Sequence, residues 1–205
     1  MRFDHVAVLC DRLEEGVGLV EAALGVTLAP GGRHPEFGTH NRLLSLGREA
    51  YLEVIAPDPG AAPPARRRWF GLDDGVGRPR PGAWVARVAE LDAAPAPGPE
   101  PVGPPVRLAR GPYRWRMEVP GDGRLPWDGT WPAPIAWEGH AHPAPDLPDA
   151  GCRLAALEIF HPRAGALAAA LGPVAMPRSA AMIVAEGPPG LAVQIRTPHG
   201  LRRLA

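Results

Sequence analysis

A strand, a helix and a hairpin follow one another near the start of this 205-residue chain, and this pattern constrains its fold more than any other feature. Residues 3–9 are rich in Val, which predicts a strand. Residues 11–25 predict a helix, with Asp11 three residues before Glu14 in a capping-box spacing and Gly25 as its stop. The spacing of its apolar residues gives the helix one apolar face, formed by Leu13, Val17, Val20 and Leu24.

A loop and a hairpin complete this first unit. Residues 30–38 are polar and Gly-rich, which predicts a loop. Residues 41–46 and 51–56 are apolar runs separated by a short polar turn, which predicts a hairpin. Residues 3–57 therefore form a predicted β-α-β-β unit with room for one more short strand.

The end of the chain repeats the pattern. Residues 154–160 predict a strand, residues 162–171 a helix, and residues 182–186 with 191–196 a hairpin. This unit cannot bury its apolar face alone, so we expect residues 153–198 to pack against another module, in the same chain or in a symmetric dimer.

The middle of the chain, residues 80–138, carries a weaker version of the same unit. Prolines at 95, 97, 99 and 101 keep any helix that begins at Glu90 short. Strands are predicted at 83–89, 106–109, 113–119 and 134–137. Repetition of a β-α-β-β-β unit is thus the main organisational feature.

Charge and residue usage exclude several functions. The 22 Arg balance 22 Asp and Glu, and a neutral chain does not favour nucleic-acid or membrane-surface binding. The chain has no Lys, which excludes Schiff-base and P-loop chemistry. Ser45 and Ser179 are the two serines and neither lies in a Gly-x-Ser-x-Gly motif.

The cysteines and the N-terminus favour a cytoplasmic protein. Cys10 and Cys152 have no metal-site spacing, and we interpret both as buried free thiols. No apolar run reaches the roughly 18 residues of a membrane span. The first residues contain no long apolar segment of the kind found in signal peptides.

Three stretches of the first unit carry a resemblance to a known family. They are Phe3-Asp4-His5-Val6-Ala7-Val8, the run from Gly31-Gly32-Arg33-His34-Pro35 to Leu43, and Tyr51-Leu52-Glu53-Val54-Ile55. Together they resemble the vicinal oxygen chelate superfamily of glyoxalases, bleomycin-resistance proteins and dioxygenases, and more narrowly its glyoxalase-like branch. The resemblance is specific over residues 3–57, diffuse over 80–138 and structural over 153–198.

The resemblance implies an α+β fold in which repeated β-α-β-β-β modules form a curved mixed sheet around a small-molecule cavity. It implies a glyoxalase-like domain over residues 1–145, with modules at about 3–57 and 80–138. An additional β-α-β-β module at 150–200 would pack on that domain.

The resemblance also implies a divalent metal, of which Zn, Ni, Fe, Co and Mn suit His and Glu ligands. His5 and Glu53 match two ligand positions of metal-using members. Glu158 and Gln194 become further ligand candidates if the first and third modules pair, and the sequence leaves the pairing open. In this branch an acidic or amide residue usually precedes the Trp of the last middle-module strand, whereas this chain has Ala136 there and Glu138 after Trp137.

The predicted loop supplies the candidate substrate contacts, which are Arg33, His34, His40 and Asn41. Loops on a rigid scaffold often carry binding residues, and Arg can clamp a carboxylate. Each candidate also has a structural interpretation: His5 as a core histidine satisfied by its neighbours, Glu53 and the loop residues as solvated side chains. We interpret His140 and His142 as part of a solvated, Pro-rich linker. Trp127 and Trp131, in another predicted loop, are candidates to cover a cavity.

Two functions follow from these residues. The first is a metal-dependent enzyme of the vicinal oxygen chelate type, a lyase, isomerase or dioxygenase that acts on a small oxygenated molecule. The alternative is a non-catalytic protein of the same fold that binds or sequesters a small molecule. Neither identifies a catalytic residue, and both predict a small-molecule ligand, no nucleic-acid or membrane partner and a possible homodimer.

Overall fold

The computed structural model describes residues 1–94 and 103–205, so the prolines at 95–101 lie outside the described residues. Strands and helices run in the order β1 (Arg2–Leu9), α1 (Leu13–Leu24), β2 (Ala29–His34), β3 (Thr39–Ser45), β4 (Tyr51–Pro57), β5 (Arg80–Arg87), β6 (Pro105–Arg110), β7 (Tyr113–Glu118), β8 (Ala133–Trp137), α2 (Pro143–Asp146), β9 (Arg153–Phe160), α3 (Ala164–Leu171), β10 (Ala181–Ala185), β11 (Gly190–Thr197) and β12 (Gly200–Leu204). Two short 3₁₀ segments, Trp69–Asp74 and Leu91–Ala93, lie before and after β5.

The first and middle modules share one eight-stranded sheet of order β2-β3-β4-β1-β5-β8-β7-β6. Each module pairs its first and last strands in parallel, β1 with β4 and β5 with β8. The antiparallel pair β1–β5 joins the two halves. The sheet curves into a nearly closed barrel, and its edge strands β2 and β6 therefore approach each other. The predicted α+β fold with a curved mixed sheet is confirmed.

The third segment forms a separate four-stranded sheet of order β10-β9-β11-β12. The hairpin predicted from residues 182–186 and 191–196 is wrong, because β9 lies between β10 and β11 and pairs with both. The two strands are therefore about two strand spacings apart, roughly 10 Å. Pro188 and Pro189 stiffen the connection between them, and this favours an extended crossing over a tight turn.

Two local predictions for the first module are also wrong. Residues 30–38 do not form a single loop, because β2 occupies Ala29–His34 with a bulge at its two glycines. Here the Gly32 N–H donates to Asn41 Oδ1 at 2.7 Å. At the start of α1, the Asp11 carboxylate does not cap the helix but accepts the N–H groups of Val76 and Gly77.

Apolar side chains form two cores, one inside the barrel and one between the two sheets. The inner core contains Ala7, Leu9, Phe37, Ile55, Trp69, Ala83, Val85, Leu108, Trp115, Met117 and Ile135, among others. The outer core joins the convex face of the large sheet, α1, α3 and the second sheet through residues such as Phe3, Val6, Val20, Leu24, Trp84, Leu157, Leu167 and Val193. Trp127 and Trp131 belong to this outer core, so they do not cover the barrel interior.

Both cysteines are buried free thiols, as predicted. No helix in the described ranges is long and apolar enough to cross a membrane.

Candidate functional site

A β-bulge places two adjacent polar residues of β1 inside the protein. The pairing of β1 with β5 shifts register between Phe3 and His5, so the strict alternation of faces breaks at Asp4. Phe3 joins the outer core, whereas His5 faces the barrel interior. The fully buried Asp4 carboxylate lies 2.7 Å from His5 Nδ1 and fixes the orientation of the ring.

Glu53 comes from β4, the parallel neighbour of β1, and meets His5 inside the barrel. Its Oε2 lies 3.6 Å from His5 Nε2, which makes the contact an ion pair longer than a hydrogen bond. Its Oε1 accepts a short hydrogen bond from the amide of Asn41 on β3. Two of the predicted residues, His5 and Glu53, are therefore brought together, and Asn41 positions one of them.

The pKa values of His5 and Glu53 are set by burial and by the contacts within this cluster. Burial lowers the pKa of His5, but the contacts with Asp4 and Glu53 outweigh it, and the net effect is a raised pKa. Burial raises the pKa of Glu53, yet the neighbouring His5 brings it down to about 2. The raised pKa of His5 favours the imidazolium form, which lies between two carboxylates and can donate a proton or a hydrogen bond.

His34 ends strand β2 and lines the same cavity, at the seam where β2 meets β6. Arg110 Nη1 donates to His34 Nε2 at 3.4 Å, so Nε2 accepts and Nδ1 carries the proton that faces Thr39 Oγ1 at 3.1 Å. Burial lowers the pKa of His34 to about 4, which keeps the ring neutral at neutral pH.

These side chains surround a narrow cavity of about 20 Å³, which has room for about one water molecule. Its lining residues are His5, His34, Tyr51, Glu53, Trp69, Phe70, Arg110, Trp115, Met117, Ile135 and Trp137. Phe70 also lines an open cleft of about 980 Å³. In that cleft Asp74 pairs with Arg124 at 2.9 Å, so these charges neutralise each other, and we place the candidate site in the narrow cavity.

The ligand set of a catalytic metal site is incomplete in the described part of the chain. Such a site uses about three protein ligands, and the interior offers His5 and Glu53. His34 does not complete the set, because its Nε2 faces the Arg110 cation. The walls from the middle module present Val85 and Ile135 among other apolar side chains, and no group of three His, Cys, Asp or Glu residues that could hold a metal is found in the described ranges.

The remaining predicted residues lie away from the cavity. Arg33 is largely exposed and pairs with Asp58 at 3.2 Å. His40 does not line the cavity, and its buried Nε2 has no hydrogen-bond partner among the described residues. Glu158 and Gln194 lie on the second sheet, 2.5 Å from each other. Because β11 runs antiparallel to β9, these two positions are not equivalent to His5 and Glu53 on their parallel strands.

Four further residues support the site and were not predicted from the sequence. Arg87 Nε, Trp137 Nε1 and His142 Nε2 lie 2.8, 3.0 and 3.2 Å from Asp4 Oδ2. The prediction that His142 lies in a solvated linker is wrong, since this residue is buried. Arg110 was missed as well. The sequence held one signal for this cluster, namely two adjacent polar residues, Asp4 and His5, in an otherwise apolar strand. Both can face the same side of the sheet only if a bulge interrupts the alternation of faces.

Comparisons with known proteins agree with this architecture. The model of the glyoxalase-like domain matches residues 3–175. The chain belongs to this glyoxalase-like family. Among solved structures it is similar to a hypothetical protein from Staphylococcus aureus, with a TM-score of 0.58 and 13% identity over 82% of this chain and 72% of that one. At that identity the likeness shows the fold alone. No curated protein matches the sequence.

Proposed function

We propose that this glyoxalase-like protein binds a small oxygenated organic molecule inside the barrel and needs no divalent metal to do so. The observation that carries this function is the contrast between the two walls of the cavity. The wall from the first module holds the His5–Glu53 pair. The wall from the middle module consists mainly of apolar side chains such as Trp115, Met117 and Ile135, with Arg110 at its edge. Small-molecule sites combine apolar walls with a few fixed polar groups in this way.

Each polar residue has a definite part in binding. His5 donates from Nε2 to an oxygen of the ligand, while Asp4 holds the opposite ring nitrogen. Glu53 accepts a ligand hydroxyl, and Asn41 fixes its carboxylate. Because these partners are already in place, little rotamer entropy is lost when the ligand binds.

A ligand enters this site from the open cleft, past the side chain of Phe70. Phe70 lines both the cavity and the open cleft, so it lies where the two spaces meet. A cavity of about 20 Å³ is smaller than an organic molecule, so binding requires the wall to move. We expect movement of the Phe70 side chain to join the two spaces without disturbing a strand, because Phe70 lies in the 3₁₀ segment Trp69–Asp74.

The metal-dependent enzyme is the second candidate function. One observation favours it, namely that two potential ligand atoms, His5 Nε2 and Glu53 Oε2, lie 3.6 Å apart at the cavity. The same pair serves a ligand oxygen in the first proposal. Metal dependence therefore separates the two functions.

Calorimetry and ligand-observed NMR test the proposal on protein treated with a chelator. The probes are catechol, 2,3-butanedione and hydroxyacetone, each with and without added Zn²⁺, Ni²⁺ or Mn²⁺. We expect at least one probe to bind the metal-free protein. We expect Glu53→Gln to weaken this binding by about ten-fold, since a hydrogen bond to a charged group is lost.

Glu158→Gln is the matched control, because it makes the same chemical change on the second sheet and should leave binding at the wild-type level. Binding that appears only after metal is added, and is lost in His5→Ala, would establish the metal-dependent function instead. Absence of binding by all three probes under every condition would contradict both.

A further inference from the structure

Arg110 is the one Arg or Lys among the described residues that line the cavity, and the ion pairs of the described chain do not include it. It ends strand β6, and its side chain crosses the seam to β2. Within the described chain, its guanidinium meets the neutral ring of His34 at 3.4 Å and the face of the Tyr113 ring at 5.7 Å. These contacts orient the guanidinium but do not neutralise its charge.

The backbone of β2 is shaped to receive this side chain. A Cβ at position 32 would lie 2.7 Å from Arg110 Cδ, so Gly32 leaves the space in which the arginine stem crosses the seam. Gly32 has no positive φ that would otherwise require glycine. The stem of Arg110 is thus seated on the opposite edge strand, and its head is fixed at the cavity.

No carboxylate of the described chain lies within ion-pair distance of Arg110. Glu53 accepts from Asn41 on one oxygen and lies beside His5 on the other, and it acts on Arg110 only at longer range. Asp4 lies beyond His5 and accepts from Arg87, Trp137 and His142. One positive charge therefore remains at the end of the cavity that adjoins β2 and β6.

We propose that Arg110 binds the carboxylate of the ligand, and that the ligand class is a flat, apolar organic acid with a single negative charge. This inference rests on the proposed function and specifies its ligand. A guanidinium binds a carboxylate through two parallel hydrogen bonds. Trp69, Trp115 and Trp137 supply surfaces against which a flat body packs. A dianion such as a phosphate monoester is disfavoured, because one cation would face two charges beside Glu53.

Isothermal titration compares benzoate and trans-cinnamate with benzamide and cinnamamide, which have the same shapes without the charge. We expect each acid to bind at least about ten-fold more tightly than its amide, as lost charge-assisted hydrogen bonds imply. Arg110→Gln should remove this preference. Gly32→Ala should reduce it too, since the new methyl group displaces the Arg110 stem while the charge is kept.

Arg114→Gln is the control, because this exposed arginine lies in the same hairpin and bonds to backbone carbonyls of its own turn. It should leave the preference for acids unchanged. Equal affinity for acids and amides, no binding by either acid, or tighter binding of phenyl phosphate than of benzoate would each overturn the inference. If neutral oxygenated probes bind in a Glu53-dependent manner while the acids do not, the proposed function stands and this inference fails.

Discussion

The protonation state of one buried ring, that of His34, affects the contacts of two neighbouring residues. Its Nε2 accepts from Arg110 and its Nδ1 faces Thr39, so the neutral form satisfies both neighbours. A second proton would place two like charges 3.4 Å apart in a buried setting. The ring therefore links the stability of the fold to pH at the same place where the proposed ligand binds.

This linkage gives the first prediction. The pKa of His34 is lowered from 6.5 to about 4, so between these values the unfolded chain binds a proton that the folded chain does not. Stability should fall as pH falls through this window, by about 2 kcal/mol between about pH 6.5 and 5. The raised pKa of His5 acts in the opposite direction, because the folded chain then holds this proton more firmly than the unfolded chain does. Glu53, with a folded pKa of about 2, titrates below this window.

Urea unfolding of wild type and His34→Gln at several pH values measures this effect. Glutamine keeps a donor and an acceptor but cannot be protonated in this range. The variant should show a flatter dependence of unfolding free energy on pH. Parallel curves for the two proteins would show that His34 does not carry the effect.

At the scale of the element, the approach of α1 to the large sheet depends on one glycine. A Cβ at Gly16 would lie 2.5 Å from Cys10 Sγ and 2.7 Å from Val54 Cγ1, so the helix could not remain this close to β4. Gly18, in the same helix, faces open space. The two positions differ in packing while they share the same backbone conformation.

Substitution by alanine should therefore have opposite effects on stability at the two positions. Gly18→Ala should stabilise the protein by up to about 1 kcal/mol, because alanine favours helix. Gly16→Ala should destabilise it by about 1–3 kcal/mol through overpacking. Thermal and urea unfolding of the two variants check the signs, and stabilisation by both would show that α1 does not pack as described.

Local sequence patterns predicted most strands and helices, but they did not predict which strands pair with each other. The strand at 154–160 and the helix at 162–171 follow from periodicity within each segment, and the structure has both. That β9 would separate β10 from β11 depends on which strands pair, which no local pattern records. The same limit applies to the site: Arg110 and His34 are 76 residues apart, and the seam between β2 and β6 brings them together.

At the scale of the molecule, the second sheet covers the convex face of the barrel. Phe3, Val6 and Trp84 on that face share one core with Leu157 and Val193 of the second sheet. Each of these residues is fully buried in the intact protein. We therefore expect the barrel that holds the site to need the last quarter of the chain to keep this apolar face out of water.

Removal of residues 150–205 should consequently cause aggregation or a large loss of stability. It would expose the apolar face of β1 and β5 to water. Size-exclusion chromatography and thermal unfolding of the shortened chain, compared with the full chain, test this. A soluble monomer with an unchanged melting temperature would show that the third segment is an independent appendage.

The two halves of the barrel share one topology, yet their inner walls differ in chemistry. His5 and Glu53 stand on one half, and Trp115, Met117 and Ile135 stand on the other together with Arg110. A cavity with matching halves would accept a molecule in either direction. We therefore expect this cavity to bind its ligand in one direction, with the same end at His5, so that a molecule with two identical ends would leave one of them mismatched.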